Sequence, residues 1–249
     1  MSLITRRNAL IGGAGLVLAG CDKITTSPTV QNVLSLGQKA NLTAQRLVQD
    51  RNALAPEFTR ADLSPRFREN GTRRPGGDDY NAMVANNFAD WQLAVEGMVA
   101  RPFKLSLAQL RGAPARTQIT RHDCVEGWSA IGEWTGVPLG LLLRRAGLSS
   151  NARYIVFHCA DQLLGAQYYE SIDLVDAFHP QTILAHTMNG QALSVGHGAP
   201  IRLRVERQLG YKQAKYVMRV EAVASLDGIY GGKGGLWEDH SGYQWYAGI

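Results

Sequence analysis

Residues 121–129 read Arg-His-Asp-Cys-Val-Glu-Gly-Trp-Ser, and residues 134–139 continue as Trp-Thr-Gly-Val-Pro-Leu. The first stretch places a single thiol, Cys124, among charged side chains at the expected junction between a strand and a loop. Free cysteine is often a buried structural residue, whereas charged neighbours are more typical of a reactive thiol. A cysteine nucleophile with a distant histidine base is also compatible with the residues alone. A structural and a functional interpretation of Cys124 therefore both stay open at this stage.

Short apolar segments and short helical patterns surround this stretch and indicate the fold class. Alternating polar and apolar residues predict strands, and apolar residues at helical spacing predict helices. Because strands and helices do not alternate regularly, the pattern favours an α+β fold. The predicted strands are Trp91–Gly97, Arg116–Cys124, Tyr154–Cys159, Ile201–Val205 and Lys215–Ala224, and the predicted helices are Leu36–Ala53, Leu105–Gly112 and Pro138–Ala146. The proline- and glycine-rich segment Ala55–Asp79 is predicted to be a long loop with a function or a surface to cover.

Composition excludes several classes of protein. The chain has 249 residues, of which 45% are hydrophobic and 19% charged, with three cysteines and a formal net charge of +5. The ordinary apolar fraction excludes full-length disorder, and three cysteines are too few for a disulfide-rich scaffold. The dinucleotide, P-loop, zinc-protease and nucleophile-elbow motifs are absent from the sequence.

The N-terminal segment, residues 1–20, has the pattern of an export signal. Arg6 and Arg7 precede an apolar run that is shorter than the ~20 residues needed to span a bilayer. A buried N-terminal helix is the alternative, and the interior glycines of this run disfavour it. The segment resembles a twin-arginine signal, and residues 18–21 resemble a lipobox in which Cys21 becomes acylated. Residues 21–35 are then expected to form a tether, and residues 36–249 a single domain.

The basic charge of the chain comes partly from this signal. Loss of Arg6 and Arg7, in a segment without acidic residues, lowers the net charge from +5 to +3. No run of five basic residues remains in the rest of the sequence. Nucleic-acid binding is therefore not expected.

The motif at Cys124 resembles that of the sulfite-oxidase-type molybdopterin oxidoreductases, and within them the branch of the periplasmic methionine-sulfoxide reductase catalytic subunit. The similarity continues in order over about residues 80–249, through segments 91–97, 184–193, 198–203, 210–215 and 237–243. The resemblance implies a sulfite-oxidase-type fold with a single catalytic domain. It also implies one molybdenum bound by the Cys124 thiolate and by the dithiolene sulfurs of a single molybdopterin, which performs oxygen-atom transfer. A thiolate is a soft donor suited to such a metal.

The resemblance also implies which residues bind the cofactor. Arg202 and Lys215 match the family residues that hold the cofactor phosphate, which requires cations and N–H donors. Lys212, in the same motif as Lys215, is a further candidate. Asn86 matches an asparagine that contacts the cofactor in the methionine-sulfoxide reductase branch.

Several positions depart from that branch, among them His197, Cys159, Ala89 and Glu206-Arg207-Gln208. His197 stands where the branch has asparagine, and it can still hydrogen-bond to a pterin while adding a titratable group. Cys159 stands where the branch has a cofactor-contacting threonine, and it either contacts the cofactor or packs in the core. A disulfide between Cys124 and Cys159 is the rival interpretation in an oxidising compartment, and it would abolish the metal site.

Three residues near the thiol are candidates for roles in catalysis. Glu126 could act as an acid or base, and Trp128 could form a wall of the substrate funnel. Arg121 could bind an anionic substrate such as sulfite. Each also has a structural interpretation: a surface carboxylate, a core aromatic residue and an outward-facing strand residue.

The expected activity is two-electron oxygen-atom transfer on a small S-oxide or N-oxide. The alternatives are sulfite dehydrogenase activity and a cofactor-free lipoprotein that serves as a binding module. Because no haem motif is present, a separate haem protein is expected to exchange electrons with the enzyme. We further expect a monomer in the periplasm, attached to the inner membrane only through a lipid on Cys21.

Overall fold

The computed structural model describes residues 27–249, so the predicted signal segment and Cys21 lie outside the described residues. The chain divides into two compact units, residues 1–50 and 51–249. In the first unit, helix α1 spans Pro28–Val48. It begins earlier than the predicted Leu36, within the segment expected to be a tether, because proline suits the first turn of a helix. Between residues 27 and 249, no helix combines the length and the hydropathy needed to cross a membrane.

The second unit is built from one mixed sheet and one antiparallel sheet with short helices, as the α+β prediction requires. One sheet has the strand order β2-β1-β10-β5-β6, with β1 parallel to β10, and the other has the order β3-β4-β7-β8, with β9 paired to β7. The strands are β1 Gln92–Gly97, β2 Phe103–Ser106, β3 Arg116–Asp123, β4 Ser129–Pro138, β5 Tyr154–Leu163, β6 Ala166–Asp173, β7 Ile183–Met188, β8 Gln191–Ala192, β9 Arg202–Arg204 and β10 Val217–Val223. The helices are α2 Asp78–Ala85, α3 Leu107–Arg111, α4 Leu139–Ala146, α5 Leu174–Ala177 and α6 Leu236–Ser241, with 3-10 turns at Arg60–Asp62, Val195–His197 and Gly210–Lys212.

Local sequence explains the elements that were predicted. Ser106 caps α3 by accepting a hydrogen bond from the backbone N–H of Gln109 at 3.2 Å. Helix α4 ends at Gly147, which adopts the left-handed conformation with φ +69° that favours glycine. Strands β4, β6 and β7 were not predicted, since β4 and β7 are buried on both faces over most of their length and lack clear alternation.

The main apolar core of this unit contains side chains from both sheets. Trp91, Leu93, Ile155 and Phe157 are buried there among other apolar side chains. A smaller apolar cluster surrounds Trp134 on the second sheet. Residues 51–77 contain neither a named strand nor an α-helix, which confirms the prediction of a long loop.

Candidate functional site

A cavity of about 310 Å³ opens in the second unit. Its walls come from the long loop, the end of β3, the end of β5, the segments around β9 and β10, and the C-terminal region. The lining residues are Phe67, Arg68, Asn70, Gly71, Thr72, His122, Cys124, Val125, Glu126, Asp161, Leu163, Tyr168, Gly196, His197, Arg202, Gly210, Tyr211, Gln213, Lys215, Trp237 and Tyr243. Among the predicted site residues, the structure brings together Cys124, Glu126, His197, Arg202 and Lys215.

Cys124 lies at the end of β3, where the chain turns into β4. Its N–H donates to the carbonyl of Trp128 at 2.9 Å, and its carbonyl accepts from the N–H of Gly127 at 3.0 Å. Gly127 closes the turn with φ +84°, which is the left-handed region. The thiol is 8% exposed, and burial raises its pKa. The side chain is therefore a protonated thiol until a cation or metal favours the thiolate.

Cys159 does not line the cavity. It is packed in the hydrophobic core, and burial raises the pKa of its thiol well above the ordinary value. Both Cys124 and Cys159 are free thiols, so the disulfide interpretation is wrong for this structure. Of the two predicted alternatives for Cys159, this position agrees with packing in the core. Two residues further along β5, Asp161 reaches the cavity instead.

Arg202 is a buried cation with incomplete hydrogen bonding. Its guanidinium donates to the carbonyls of His197 and Gln213, each at 3.2 Å, while its Nε–H has no partner. Its planar group lies over the ring of Trp134 at 5.1 Å. Burial, together with the neighbouring Arg204, lowers the pKa of Arg202 to about 9. Such a buried cation is stabilised by an anion placed against it.

Lys215 is held by backbone carbonyls. Its ammonium donates to the carbonyls of Asn70 at 2.7 Å and Gly196 at 3.0 Å, and also to that of Thr72. Burial, together with Arg202, lowers the pKa of Lys215 to about 7. The ammonium thus has hydrogen-bond acceptors but no carboxylate within ion-pair distance in the described part of the chain.

Asp161 is a site residue that sequence reasoning missed. Its side chain is 3% exposed overall, and its Oδ1 lacks a hydrogen-bond partner. Burial raises the pKa of this carboxyl to about 6. The alternation of β5 was the available signal, because Asp161 and Leu163 follow the core residue Cys159 at two-residue spacing.

A buried network fixes the side chain of His122, which also lines the cavity. Arg204 donates to Glu206 at 2.6 and 2.9 Å and to Nδ1 of His122 at 3.1 Å. The same Nδ1 also lies 3.3 Å from the side-chain oxygen of Gln213. Burial and the nearby arginines keep the pKa of His122 well below its usual range. His122 therefore contributes a neutral, fixed imidazole ring to the wall of the cavity.

Glu126 and Trp128 act together at the cavity mouth. Nε1 of Trp128 donates to the Glu126 carboxylate at 3.0 Å, and Glu126 lines the cavity. Trp128 lies behind this carboxylate, with its ring 5.5 Å from that of His122 and 6.4 Å from that of Phe67. It supports the wall rather than lining the cavity directly.

Lys212 requires a correction. Its ammonium is fully buried between Glu170 and Glu238, at 2.5 Å from each carboxylate. It does not line the cavity. Because two carboxylates already surround the ammonium, Lys212 forms a structural ion cluster and is not free to bind a phosphate.

Asn86 and Arg121 also lie away from the cavity. Asn86 is exposed at the end of α2, where its amide donates to Asp90 at 2.7 Å. Arg121 is exposed on β3 and pairs with Asp123 at 2.9 Å. The structure therefore does not support an anion pocket at Arg121, and it places Arg68 at the cavity instead.

His197 lines the cavity and carries another unsatisfied atom. Its Nδ1 lies 3.7 Å from the Glu69 carboxylate and has no hydrogen bond. Burial, together with Arg202, lowers the pKa of this imidazole. Four buried polar atoms of cavity residues thus lack partners: Thr72 Oγ1, Arg202 Nε, Asp161 Oδ1 and His197 Nδ1.

The family model of the molybdopterin-binding oxidoreductase domain matches residues 81–227. The chain belongs to this family. It is 37% identical over 243 residues to YedZ1 of Azospira oryzae, provisionally named a protein-methionine-sulfoxide reductase subunit, covering 98% of this chain and 86% of that one. It is 32% identical over 224 residues to the protein-methionine-sulfoxide reductase catalytic subunit MsrP of Xanthomonas campestris, covering 85% of this chain and 66% of MsrP. The Ralstonia nicotianae MsrP is 38% identical over 144 residues, covering 53% of this chain and 44% of that one.

A solved structure confirms the predicted fold class. The sulfane dehydrogenase SoxCD of Paracoccus pantotrophus matches with a TM-score of 0.53 and 23% identity, covering 61% of this chain and 41% of that one. The predicted resemblance to the methionine-sulfoxide reductase branch is confirmed by the curated relatives. The chain is therefore an oxidoreductase of a molybdopterin-dependent family.

The cavity residues fit a molybdopterin. A phosphate would offset the charges of Arg202 and Lys215, because both are buried or half-buried cations without a carboxylate within ion-pair distance among the described residues. The unpartnered Asp161 Oδ1 can accept from N–H groups, and His197 Nδ1 can donate or accept. The thiol of Cys124 is a soft donor of the kind that such a metal would require. The donor set and the unsatisfied atoms thus agree with the family's cofactor.

We expect Lys215 to make the stability of the cofactor-free protein increase with pH above neutrality. Its folded-state pKa of about 7 lies below the ordinary value of 10.5, so the unfolded chain binds this proton more tightly in that interval. The contribution to the free energy of unfolding is unchanged below pH 7 and increases above it, by up to ~1.4 kcal/mol per pH unit. Urea unfolding of wild type and Lys215→Met from about pH 6 to about pH 9 measures how the free energy of unfolding of each protein changes with pH. An equal change with pH in the two proteins would disprove the lowered pKa of Lys215.

Proposed function

We propose that this protein uses a molybdenum–molybdopterin cofactor to reduce S-oxides, with the sulfoxide of methionine side chains as the substrate. The observation that carries the proposal is the cavity, which unites one thiol, Cys124, with the two cations Arg202 and Lys215. These residues are distant in sequence, and only the fold brings them to one site. The names of the YedZ1 and MsrP relatives support the choice of substrate.

Each cavity residue then has a defined role. Cys124 would bind the metal through its thiolate, Arg202 and Lys215 would hold the phosphate, and Asp161 and His197 would hydrogen-bond to the polar edge of the pterin. When bound, the cofactor supplies two-electron oxygen-atom transfer. The protein orients the cofactor and controls the access of water and protons.

Glu126 is the proposed proton donor. Reduction of a sulfoxide consumes two electrons and two protons and releases the thioether and one water. The Glu126 carboxyl lies at the cavity, and the hydrogen bond from Trp128 Nε1 fixes its orientation. It can therefore deliver a proton to the departing oxygen and recover one from solvent, since the side chain is exposed.

The cavity rim favours a neutral organic substrate. Val125, Leu163, Trp237 and Tyr243 line it, and the last two rings stack with centroids 5.5 Å apart. Apolar and aromatic groups of this kind pack against a thioether and exclude water. Sulfite, a hydrated anion, gains little from such a rim. The one observation that favours the sulfite alternative is Arg68, whose guanidinium lies 5.6 Å from the centre of the Trp128 ring at this cavity.

The decisive experiment measures metal and substrate together. The full chain is produced in a host that makes molybdopterin, and its molybdenum content is measured by mass spectrometry. We expect one molybdenum per chain and viologen-driven reduction of methionine sulfoxide. A higher kcat/KM for sulfite oxidation than for reduction of methionine sulfoxide would favour the sulfite dehydrogenase. A protein that contains no molybdenum would favour the cofactor-free binding module.

Substitution of the proposed proton donor gives a separate prediction. Glu126→Gln keeps the size and the hydrogen bond to Trp128 but removes the proton, so we expect kcat to decrease by roughly 100-fold. Molybdenum content should be unchanged because the substituted group does not bind the cofactor. Steady-state kinetics with methionine sulfoxide measures the effect. Wild-type kcat in this variant would show that Glu126 is not the donor.

The electron donor and the location are part of the same proposal. We infer that a separate haem protein supplies the electrons, which agrees with the naming of the relatives as subunits. The export pattern of residues 1–20 supports a location in the periplasm with a lipid on Cys21, where we propose that the enzyme is a monomer. Mass spectrometry of the exported protein tests this, because an unmodified Cys21 in the mature chain would contradict the lipid anchor.

A further inference from the structure

Residues 67–72, here called the cavity strap, lie along the site and are anchored at several points. The ring of Phe67 packs against Trp134, with centroids 5.3 Å apart, and against His122 at 5.5 Å. At the other end, the Thr72 carbonyl accepts from the hydroxyl of Tyr216 at 2.8 Å. The strap therefore has a defined position relative to both sheets of this unit.

Asn70, in the middle of the strap, connects the two ends of the proposed cofactor site. Its side-chain Nδ2 donates to Sγ of Cys124 at 3.2 Å. Its backbone carbonyl accepts from the ammonium of Lys215 at 2.7 Å. The second contact fixes the backbone of Asn70. The side-chain amide is therefore held beside the sulfur of Cys124. Neither contact was foreseen from the sequence.

We propose that Asn70 is a positioning residue whose amide hydrogen bond to the Cys124 sulfur raises the reduction potential of the bound metal. This inference rests on the proposed function, because it assigns Cys124 as the metal ligand. An N–H group directed at a ligating sulfur withdraws negative charge from it and thereby stabilises the reduced metal. An easily reduced metal suits an enzyme that accepts electrons and passes them to an S-oxide.

The surroundings of the sulfur make Asn70 the side chain to test. The backbone N–H of Glu126 lowers the pKa of this thiol, and a substitution cannot remove it. Glu126 contributes a negative charge nearby and Arg68 a positive one, both at the exposed rim. Among the side chains around Cys124 in residues 27–249, Asn70 is the one that the structure shows donating directly to the sulfur.

The test compares Asn70→Ala and Asn70→Asp with wild type in the molybdenum-loaded full chain. Midpoint potentials of the metal are measured by titration with electron paramagnetic resonance detection, which does not depend on turnover. Loss of the N–H should decrease the one-electron reduction constant about tenfold, which equals about 59 mV. Aspartate, which has the same shape but adds negative charge, should decrease the potential further than alanine.

Asn81→Ala is the matched control. Asn81 is an exposed asparagine whose amide oxygen accepts from Arg74, and its removal should leave the potential unchanged. Wild-type potentials and wild-type spectra in both Asn70 variants would overturn the inference while leaving the proposed function intact. Folded Asn70 variants that fail to load molybdenum would overturn it as well, since the residue would then retain the metal rather than tune it. Absence of molybdenum from wild type would instead defeat the proposed function.

Discussion

Cys124→Ser is expected to reduce sulfoxide reduction by at least ~10³-fold. Loss of an outer-sphere partner of a metal ligand typically costs 10–100-fold, and loss of the ligand itself should exceed that. A serine hydroxyl is a harder and less acidic donor than a thiol, so it does not replace the thiolate. The fold should survive, because the substituted residue lies at the end of β3 beside the cavity and outside the apolar core. Activity, molybdenum content and circular dichroism of the variant measure these effects.

Cys159→Ser provides the matched control for this substitution. Cys159 is the other free thiol in the described residues, and it is packed in the core away from the cavity lining. We expect it to lower stability modestly, since a buried hydroxyl requires a hydrogen-bond partner. Its molybdenum content and its activity should stay near wild type. If the two cysteine variants behaved alike, the assignment of Cys124 as the sole metal-binding thiol would be wrong.

Arg202→Met is expected to lower retention of the cofactor by at least ~10-fold. The guanidinium is 5% exposed and keeps one N–H without a partner, so its charge is compensated only when an anion binds. Methionine fills similar volume without charge. Because a buried and poorly satisfied cation contributes little to stability, the cofactor-free variant should unfold within about 1 kcal/mol of wild type. Pterin and molybdenum analysis after gel filtration measures retention.

Arg121→Met makes the same chemical change on the outer face of β3. Arg121 is exposed and pairs with Asp123, so its removal should affect neither cofactor content nor activity. A decrease in cofactor content in this variant, or full retention in Arg202→Met, would contradict the proposed position of the phosphate.

The fold class and several cavity residues could be predicted from the sequence, because they depend on local patterns and on short family segments. Cys124 and Glu126 are neighbours along the chain, and Arg202 and Lys215 lie in ordered family segments. The strap, by contrast, has no local signal. Asn70 reaches Cys124 only through the path of a long loop, which composition identifies as a loop without fixing its course.

The two lysines of the 210–215 segment show where sequence alone reaches its limit. Lys212 and Lys215 have the same chemistry and lie three residues apart. Burial between Glu170 and Glu238 removes Lys212 from the site, and those carboxylates come from β6 and α6. Only the tertiary arrangement shows that Lys212 belongs to an ion cluster and that Lys215 lies at the cavity.

The sulfur coordination of the metal tests the central claim most directly. X-ray absorption at the molybdenum edge counts the sulfur neighbours in the loaded full chain. The account predicts three in wild type and in Cys159→Ser, namely one thiolate and two dithiolene sulfurs. It predicts two sulfur neighbours for any molybdenum that the Cys124→Ser variant retains. Three sulfur neighbours in Cys124→Ser, or only two in wild type, would contradict the assignment of Cys124 as the metal ligand.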